Sequence, residues 1–362
     1  MIYKVIGAMS GSSLDGLDIV FTEFQEIAGK WHYENRCADC LEYTAGWKQK
    51  LMGSTRLPAI DYQLLHTDYG RFIGQKINEF IEANNLHHQV SMIASHGHTT
   101  FHLPEKKMTH QLGDGAAIAA ETGLPVVSDL RSMDIAFGGQ GAPIVPLGEK
   151  LLFTDYNYFL NIGGIANISC NKAGEIIAYD ICPANRVLNM IANEKNLEYD
   201  DEGKISSSGQ IHNELLGKLN TLGYYKQPYP KSLANTLGTE TIFPLLKSFT
   251  INFEDALCTY TEHICNQIKN ALRLFRQDDV QKLFITGGGA FNSFLIERLR
   301  ENLQEINFEC FIPEDNVVTY KEALIMGLLG VLRWREQYTV LSSVTGASRN
   351  SIGGALWLGT EA

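Results

Sequence analysis

The feature that most constrains this chain is a recurring device: an apolar strand, a glycine break with small polar residues, and an apolar return strand. It stands in "IGAMSGSSLDGLDIVFTEF", Ile6 to Phe24, and again in "YFLNIGGIANISCNKAGEIIAYD", Tyr158 to Asp180. A third glycine-rich strand end, "KLFITGGGAFNSFLIERLREN", passes through Gly287-Gly288-Gly289 into a helix. Glycine takes backbone angles closed to other residues, so successive N–H groups can converge on one point, and the missing side chain lets a ligand approach the main chain. Phosphate is the usual ligand of such a nest. A single such turn reads as an ordinary hairpin; three in one chain point to a shared nucleotide site. Neither a P-loop nor a Rossmann fingerprint fits the opening stretch: no G-K-[ST] follows, and a return strand stands where the helix would be. A hairpin of Gly, Ser and Asp suits a different grip, with backbone and hydroxyls on phosphate and a carboxylate on Mg²⁺.

Elsewhere, apolar runs bounded by glycine alternate with helical patterns, which predicts an α/β protein. Residues 2–24 read as a hairpin and residues 61–84 as a helix. "QVSMIASHGHT" reads as a strand ending in a His/Gly loop, "DGAAIAAETG" as a helix stopped by Gly123, and "LPVVSDL" as a strand. At 362 residues the chain exceeds what one core usually spans. Two related halves with a ligand-sized gap between them are expected. The likeness of the halves is one of pattern and not of letters, by itself a weak sign of duplication.

The net charge of −11 argues against non-specific binding to nucleic acid or anionic membranes, but leaves room for a small anionic ligand in a locally positive pocket. The apolar run from Ala323 to Leu332 is half of the roughly 20 residues a spanning helix needs. The apolar N-terminus has no basic lead-in beyond Lys4, and Asp15 and Asp18 stand where a cleavage region should be. The expected location is the cytoplasm. Of seven cysteines only Cys37 and Cys40 form a C-x-x-C pair, with no second pair at zinc-finger spacing, so free thiols are expected.

Several residues carry chemistry. Asp180 lies where a strand gives way to the helix begun by "ICPANRVLNMIA"; it reads equally as a base fixed by rigid backbone or as a helix N-cap. Asp15 suits a turn, whereas Asp18 enters a strand, where an acid is less expected and metal or water coordination is plausible. His96, His98 and His102 form a His-x-His pattern known from metal hydrolases, but no carboxylate follows closely, and polar loop residues are the simpler reading. Gly287 to Asn292 read as a tight turn or as a cover for an adenosine.

Taken together, "MSGSSLDGLD", "SHGHTTFH", "HQLGDGAAIAAETGLPVVSDLR", "MDIAFGGQGAPIVP", "LNIGGIANIS", "DEGKISSSG", "GGGAFN", "KEALIMGLLG" and "SVTGA" follow, in order and over nearly the whole chain, the pattern of the anhydro-N-acetylmuramic acid kinases. The chain resembles that family, a branch of the actin, sugar-kinase and heat-shock ATPase superfamily. The resemblance implies two actin-like (ribonuclease H-like) lobes, each a mixed sheet flanked by helices, with the nucleotide cleft between them. The lobes expected are residues 1–140 and 141–362, with a return of the C-terminal segment to the N-terminal lobe left open. It further implies ATP and Mg as cofactors, a sugar as the small-molecule partner, and a homodimer. The family's reaction phosphorylates O6 of 1,6-anhydro-N-acetylmuramic acid while water opens the anhydro bridge, giving the 6-phosphate used in cell-wall recycling.

Carried over residue by residue, Asp180 becomes the base that activates water. Ser10, Gly11, Ser12, Ser13, Leu14, Asp15, Gly16 and Asp18 form the first phosphate hairpin, with Asp15 and Asp18 toward Mg²⁺ directly or through water. Asn161, Gly163, Gly164 and Asn167 form the second, and Gly287, Gly288, Gly289 and Asn292 cover the adenosine. Ser95, His96, Thr99, Arg131, Asp134, Gln140 and Asn185 face the sugar, and Arg131 suits its lactyl carboxylate. Three stretches depart from the family. Asp-Thr-Gly-Pro-Gly-Asn becomes Asp180-Ile181-Cys182-Pro183-Ala184-Asn185, His-Gly-Gln becomes His96-Gly97-His98, and "LANTLGTE" replaces Thr-Gly-Arg-Glu after Lys231-Ser232. These bear on the sugar and on bridge opening more than on ATP. Two other readings stay open: a kinase of a different amino sugar without ring opening, and a non-catalytic nucleotide-binding protein.

Overall fold

The computed structural model describes residues 1–11, 14–172, 175–229, 231–233 and 236–359. The chain divides into two compact units, Met1–Thr154 with Tyr320–Ala362, and Asp155–Thr319.

The first unit is built on strands β1 (Ile2–Ser10), β2 (Gly16–Ile27), β3 (Lys30–Glu42), β4 (Met92–Leu103), β5 (Met108–Leu112), β6 (Val126–Ser128) and β12 (Ala355–Trp357). Their order is β12-β6-β4-β1-β2-β3, with β5 added on β4. β1, β2 and β3 form an antiparallel meander, and β4 and β6 run parallel to β1 and β4 respectively. β1 is central and covered on both faces, so its middle reads as a continuous run of buried residues; β3, farther out, alternates with exposed positions. One face is covered by the helix Ala59–Ala83, whose Leu65, Tyr69, Phe72, Ile73, Ile77 and Phe80 recur at helical spacing and pack on Ile6, Leu17, Ile19 and Phe21.

The helix Asp315–Trp334, from Tyr320 onward, also packs against this sheet at very short range. A Cβ on Gly7 would lie 2.0 Å from the Ala323 carbonyl oxygen, so β1 and this helix could not approach as they do with any other residue there. The first stretch of this unit runs on to Thr154. The helix Val145–Leu152 stays with the first unit because its Gly148 lies against Ile325 and its Glu149 forms a buried 2.6 Å ion pair with Lys321.

The second unit holds β7 (Tyr158–Ile162), β8 (Ile165–Lys172), β9 (Glu175–Pro183), β10 (Gln281–Thr286) and β11 (Phe308–Phe311), in the order β11-β10-β7-β8-β9. Again three antiparallel strands are followed by two parallel ones. With the added strand β5 left out of the count, each unit numbered from its own first strand therefore contains the arrangement 5-4-1-2-3 with matching directions. This is the ribonuclease H-like lobe of the expected fold class, present twice. The pattern-level likeness of the two halves is thus a likeness of topology. The helices Phe253–Arg273 and Ser293–Gln304 supply much of the second core through Leu257, Tyr260, Ile264, Ile268, Leu295 and Leu299.

Two local expectations change. β4 does not end before the His/Gly segment but runs on to Leu103, because β5 supplies a partner for it: His98 stands opposite Leu112 and Thr99 opposite Gln111, with a bulge before Phe101. β9 likewise continues past Asp180 to Pro183 after a bulge opposite Ala166–Asn167. Among the described residues no helix is long and apolar enough to cross a membrane.

Candidate active site

In the second unit, register builds a polar row. Thr286, Asn161, Asn167 and Asp180 are successive partners across β10, β7, β8 and β9. Directly opposed residues present their side chains on the same face. The row lies next to the Gly163-Gly164 turn at one end of β7 and the Gly287–Gly289 turn at the end of β10. Gly287 has φ +85°, and a Cβ there would lie 2.6 Å from Asn161 Oδ1 and 2.8 Å from the Ile162 carbonyl oxygen. The hydroxyl of Thr286 is buried and has no hydrogen-bond partner among the described residues.

The Gly163-Gly164 turn is held by the start of the helix Asn185–Asn193. The Asn185 and Ala184 amides donate to the carbonyls of Gly163 (3.1 Å) and Gly164 (2.8 Å), and Asn185 Nδ2 donates to the Ile162 carbonyl at 3.1 Å. Asn185, expected at the sugar, here braces the Gly163-Gly164 turn. Asn292 is the N-cap of the helix Ser293–Gln304, its Oδ1 accepting from Leu295 N at 2.9 Å.

Asp180 is half-buried. Its Oδ2 accepts from Leu233 N at 2.8 Å and from the Ser232 hydroxyl at 3.4 Å, and its main-chain carbonyl accepts from the Tyr224 hydroxyl at 2.7 Å. The helix N-cap is Ala184, so Asp180 does not cap it. Burial raises the Asp180 pKa, and the Leu233 amide and Ser232 hydroxyl offset part of that rise. The second oxygen, Oδ1, has no hydrogen bond among the described residues. A carboxylate oriented through one oxygen, with the other uncommitted, can accept a proton.

The first unit offers an acidic counterpart. Ser12 and Ser13 lie outside the described residues. Beside them, Leu14 takes φ +60° and Asp15 is exposed. Ser10 is buried in a hydroxyl chain: Tyr43 donates to Ser10 Oγ at 2.8 Å, leaving the Ser10 proton for His98 Nδ1 at 3.1 Å and the Tyr43 oxygen for the Tyr69 hydroxyl. Burial lowers the His98 pKa to about 4, which keeps the ring neutral at neutral pH and so leaves one ring nitrogen able to accept, the role Nδ1 takes toward Ser10. Asp18 pairs in register with Met9 on one side and Cys40 on the other. Burial pushes its pKa up to about 6; the Cys40 thiol opposes this, and the charges of Glu322 and Asp15 add to it. Among the described residues no three His, Cys, Asp or Glu side chains converge to hold a metal by themselves. Crowded carboxylates of this kind nonetheless fit Mg²⁺, which takes one or two carboxylates and fills its other positions with water and substrate phosphate.

Around β4, three of the residues expected at the sugar, His96, Arg131 and Asp134, form one network through Gly141. Arg131 Nε donates to His96 Nε2 at 2.8 Å and its Nη1 to the Gly141 carbonyl at 2.6 Å. Since Nε2 accepts, His96 carries its proton on Nδ1, which donates to the Gly97 carbonyl at 3.0 Å. Burial and the neighbouring guanidinium lower the His96 pKa to about 3, and burial lowers that of Arg131 to about 10. Asp134 is fully engaged: Oδ2 accepts from Gly141 N at 2.7 Å and Oδ1 from the Thr345 hydroxyl at 2.6 Å, pinning the Gly138–Gly141 loop. Gln140 and Thr99 are exposed. The buried Ser95 hydroxyl has no partner among the described residues. A zinc reading of the histidines finds no support here, since His96 Nε2 is occupied by Arg131 and His102 Nδ1 lies 3.2 Å from the Thr109 hydroxyl.

Comparison with known proteins decides the family. The model of the anhydro-N-acetylmuramic acid kinase family matches residues 3–359. The chain belongs to this family. It is 34% identical, over an alignment 373 positions long with gaps, to the anhydro-N-acetylmuramic acid kinase of Aliivibrio fischeri, covering 98% of this chain and 99% of that one. Anhydro-N-acetylmuramic acid kinases of Haemophilus influenzae (32%, 94% of each chain) and of a Sulfurovum species (32%, 98% and 99%) are similar as well. The chain is therefore a sugar kinase. Several neighbours of the candidate residues escape sequence reasoning: Leu233 and Tyr224 at Asp180 in the second unit, and, in the first, Tyr43 and Tyr69 behind Ser10 and Glu322 near Asp18. Only the fold brings them near, across separations such as the 53 residues between Asp180 and Leu233.

Proposed function

We propose that this chain is a cytoplasmic, ATP-dependent kinase that phosphorylates O6 of 1,6-anhydro-N-acetylmuramic acid with hydrolytic opening of the anhydro bridge, giving N-acetylmuramic acid 6-phosphate. The observation that carries this reading is Asp180: a half-buried carboxylate with raised basicity, fixed through one oxygen and lying in a polar row beside two glycine turns. In the reaction Asp180 takes a proton from water. The water oxygen bonds to C1, the C1–O6 bond breaks, and O6 attacks the γ-phosphorus as ADP departs. The main-chain N–H groups of the Gly163-Gly164 turn and of the β1–β2 hairpin bind phosphate oxygens. Mg²⁺ at Asp18 and Asp15 would neutralise charge on the transferring phosphoryl group. Arg131, held by His96 and Gly141, is aimed at the lactyl carboxylate.

The test is a transfer assay with ATP, Mg²⁺ and 1,6-anhydro-N-acetylmuramic acid in ¹⁸O-water. Label at C1 together with phosphate on O6 is the expected result. Phosphate without label would make this a kinase without ring opening, and no transfer to any of a panel of amino sugars would refute the kinase reading.

A further inference from the structure

We propose that Arg186 is a phosphate-binding residue of the second glycine turn, complementing the polyphosphate of a nucleoside triphosphate. The proposal rests on the kinase reading above and assigns a residue that this reading does not use.

Arg186 is the second residue of the helix Asn185–Asn193. Its main-chain N–H donates to the Gly164 carbonyl at 3.3 Å, so the residue is tied to the turn by its backbone. Its side chain folds back over the same turn: Nε lies 3.9 Å from the point where a Cβ on Gly164 would stand, with nothing but that missing side chain between them. Gly164 is exposed and Arg186 half-buried, which puts the guanidinium at the rim of the turn.

The electrostatics there are one-sided. The Asn185, Arg186 and Val187 N–H groups already donate to the carbonyls of Gly163, Gly164 and Ala184, but the first turn remains the positive end of the helix dipole, where a cation is disfavoured and an anion favoured. This helix has no acidic residue in its first turn and no side-chain cap. Among the described residues the Arg186 guanidinium has no ion pair and no side-chain hydrogen bond. A guanidinium, the positive end of a helix dipole and an open glycine turn therefore share one location without a counter-charge. A phosphate chain matches all three, because guanidinium presents a planar fork of donors suited to two phosphate oxygens. A lone surface arginine would more often extend into water or meet a carboxylate; here the stem is held against the turn.

The experiment compares Arg186→Ala and Arg186→Lys with the parent protein in calorimetric titrations with ATP, ADP and adenosine, at two salt concentrations, with melting temperatures measured without nucleotide. Arg186→Ala is expected to weaken ATP binding by about tenfold or more, as for loss of a charge-assisted contact, and to leave adenosine binding unchanged. Arg186→Lys should recover part of the loss, and the salt dependence of ATP binding should be shallower in Arg186→Ala. In turnover, KM for ATP should rise while KM for the sugar stays. Unchanged ATP affinity, an equal loss for adenosine, or a rise in the sugar KM alone would each overturn the assignment. Should Arg186→Ala not fold, Arg186→Gln keeps the stem and carries the same readout. A parent protein that binds no ATP would instead refute the kinase reading itself.

Discussion

Replacing Asp18 by Asn tests whether the acid of the first hairpin is held at an energetic cost. An exposed aspartate ionises near 3.8, and Asp18 does so at about 6, first because it is buried and then because Glu322 and Asp15 repel its charge. At about 1.4 kcal/mol per pH unit, this displacement corresponds to about 3 kcal/mol. Partial exposure to water brings the expected effect nearer 1–2 kcal/mol. The sign follows from linkage. A carboxyl whose pKa is raised on folding disfavours the folded state only when ionised. The cost is thus absent below pH 3.8, grows as pH rises, and is complete above about 6. Asp18→Asn keeps an acceptor for the Cys40 thiol and removes the charge. Urea denaturation of the ligand-free protein should show the variant more stable than the parent at pH 8, with the gap closing toward pH 4. The same substitution should weaken Mg²⁺-dependent turnover. A stability difference that is independent of pH, or a variant less stable at pH 8, would refute the reasoning.

Other substitutions probe the frame around the site. Gly287→Ala is strained by its φ of +85° and by the 2.6 Å approach to Asn161; a loss of about 1–3 kcal/mol in chemical denaturation is expected, and an unchanged midpoint would contradict it. Lys321→Met removes the cation facing Glu149 in a pair only 4% exposed on each side. It should cost about 3–5 kcal/mol, and adding Glu149→Leu should restore most of that; a neutral single variant would show that the pair does not brace the helix. Arg131→Ala should raise the sugar KM with little change in KM for ATP, and an unaltered sugar KM would remove Arg131 from the substrate site.

Much of the frame is legible in the sequence because glycine marks it. The hairpins β1–β2 and β7–β8 and the helix after Gly287–Gly289 stand where the glycine breaks place them. The amphipathic pattern of residues 61–84 becomes the helix Ala59–Ala83. What pattern does not carry is register. That Thr286, Asn161, Asn167 and Asp180 form one row depends on how β10, β7, β8 and β9 slide past one another, and on a bulge at Ala166–Asn167. The same limit explains His96 and His98. Their glycine neighbour signals a loop, yet β5, reached only through the turn that follows β4, pairs from His98 onward and keeps the segment in a strand. Asp180 reads equally as base or cap from spacing; that Ala184 and not Asp180 stands at the helix N-cap is visible only in the fold. Sequence pattern is equally silent on the helix Val145–Leu152, which is fixed by Ile325 and Lys321, far along the chain.

The measurement that bears most directly on the account is turnover of Asp180→Asn at saturating ATP, Mg²⁺ and 1,6-anhydro-N-acetylmuramic acid. Asparagine fits the same space and can still accept from Leu233, but it cannot take a proton from water. The account predicts a fall of about 10³-fold or more with ATP affinity preserved. Turnover within a few-fold of the parent would contradict it.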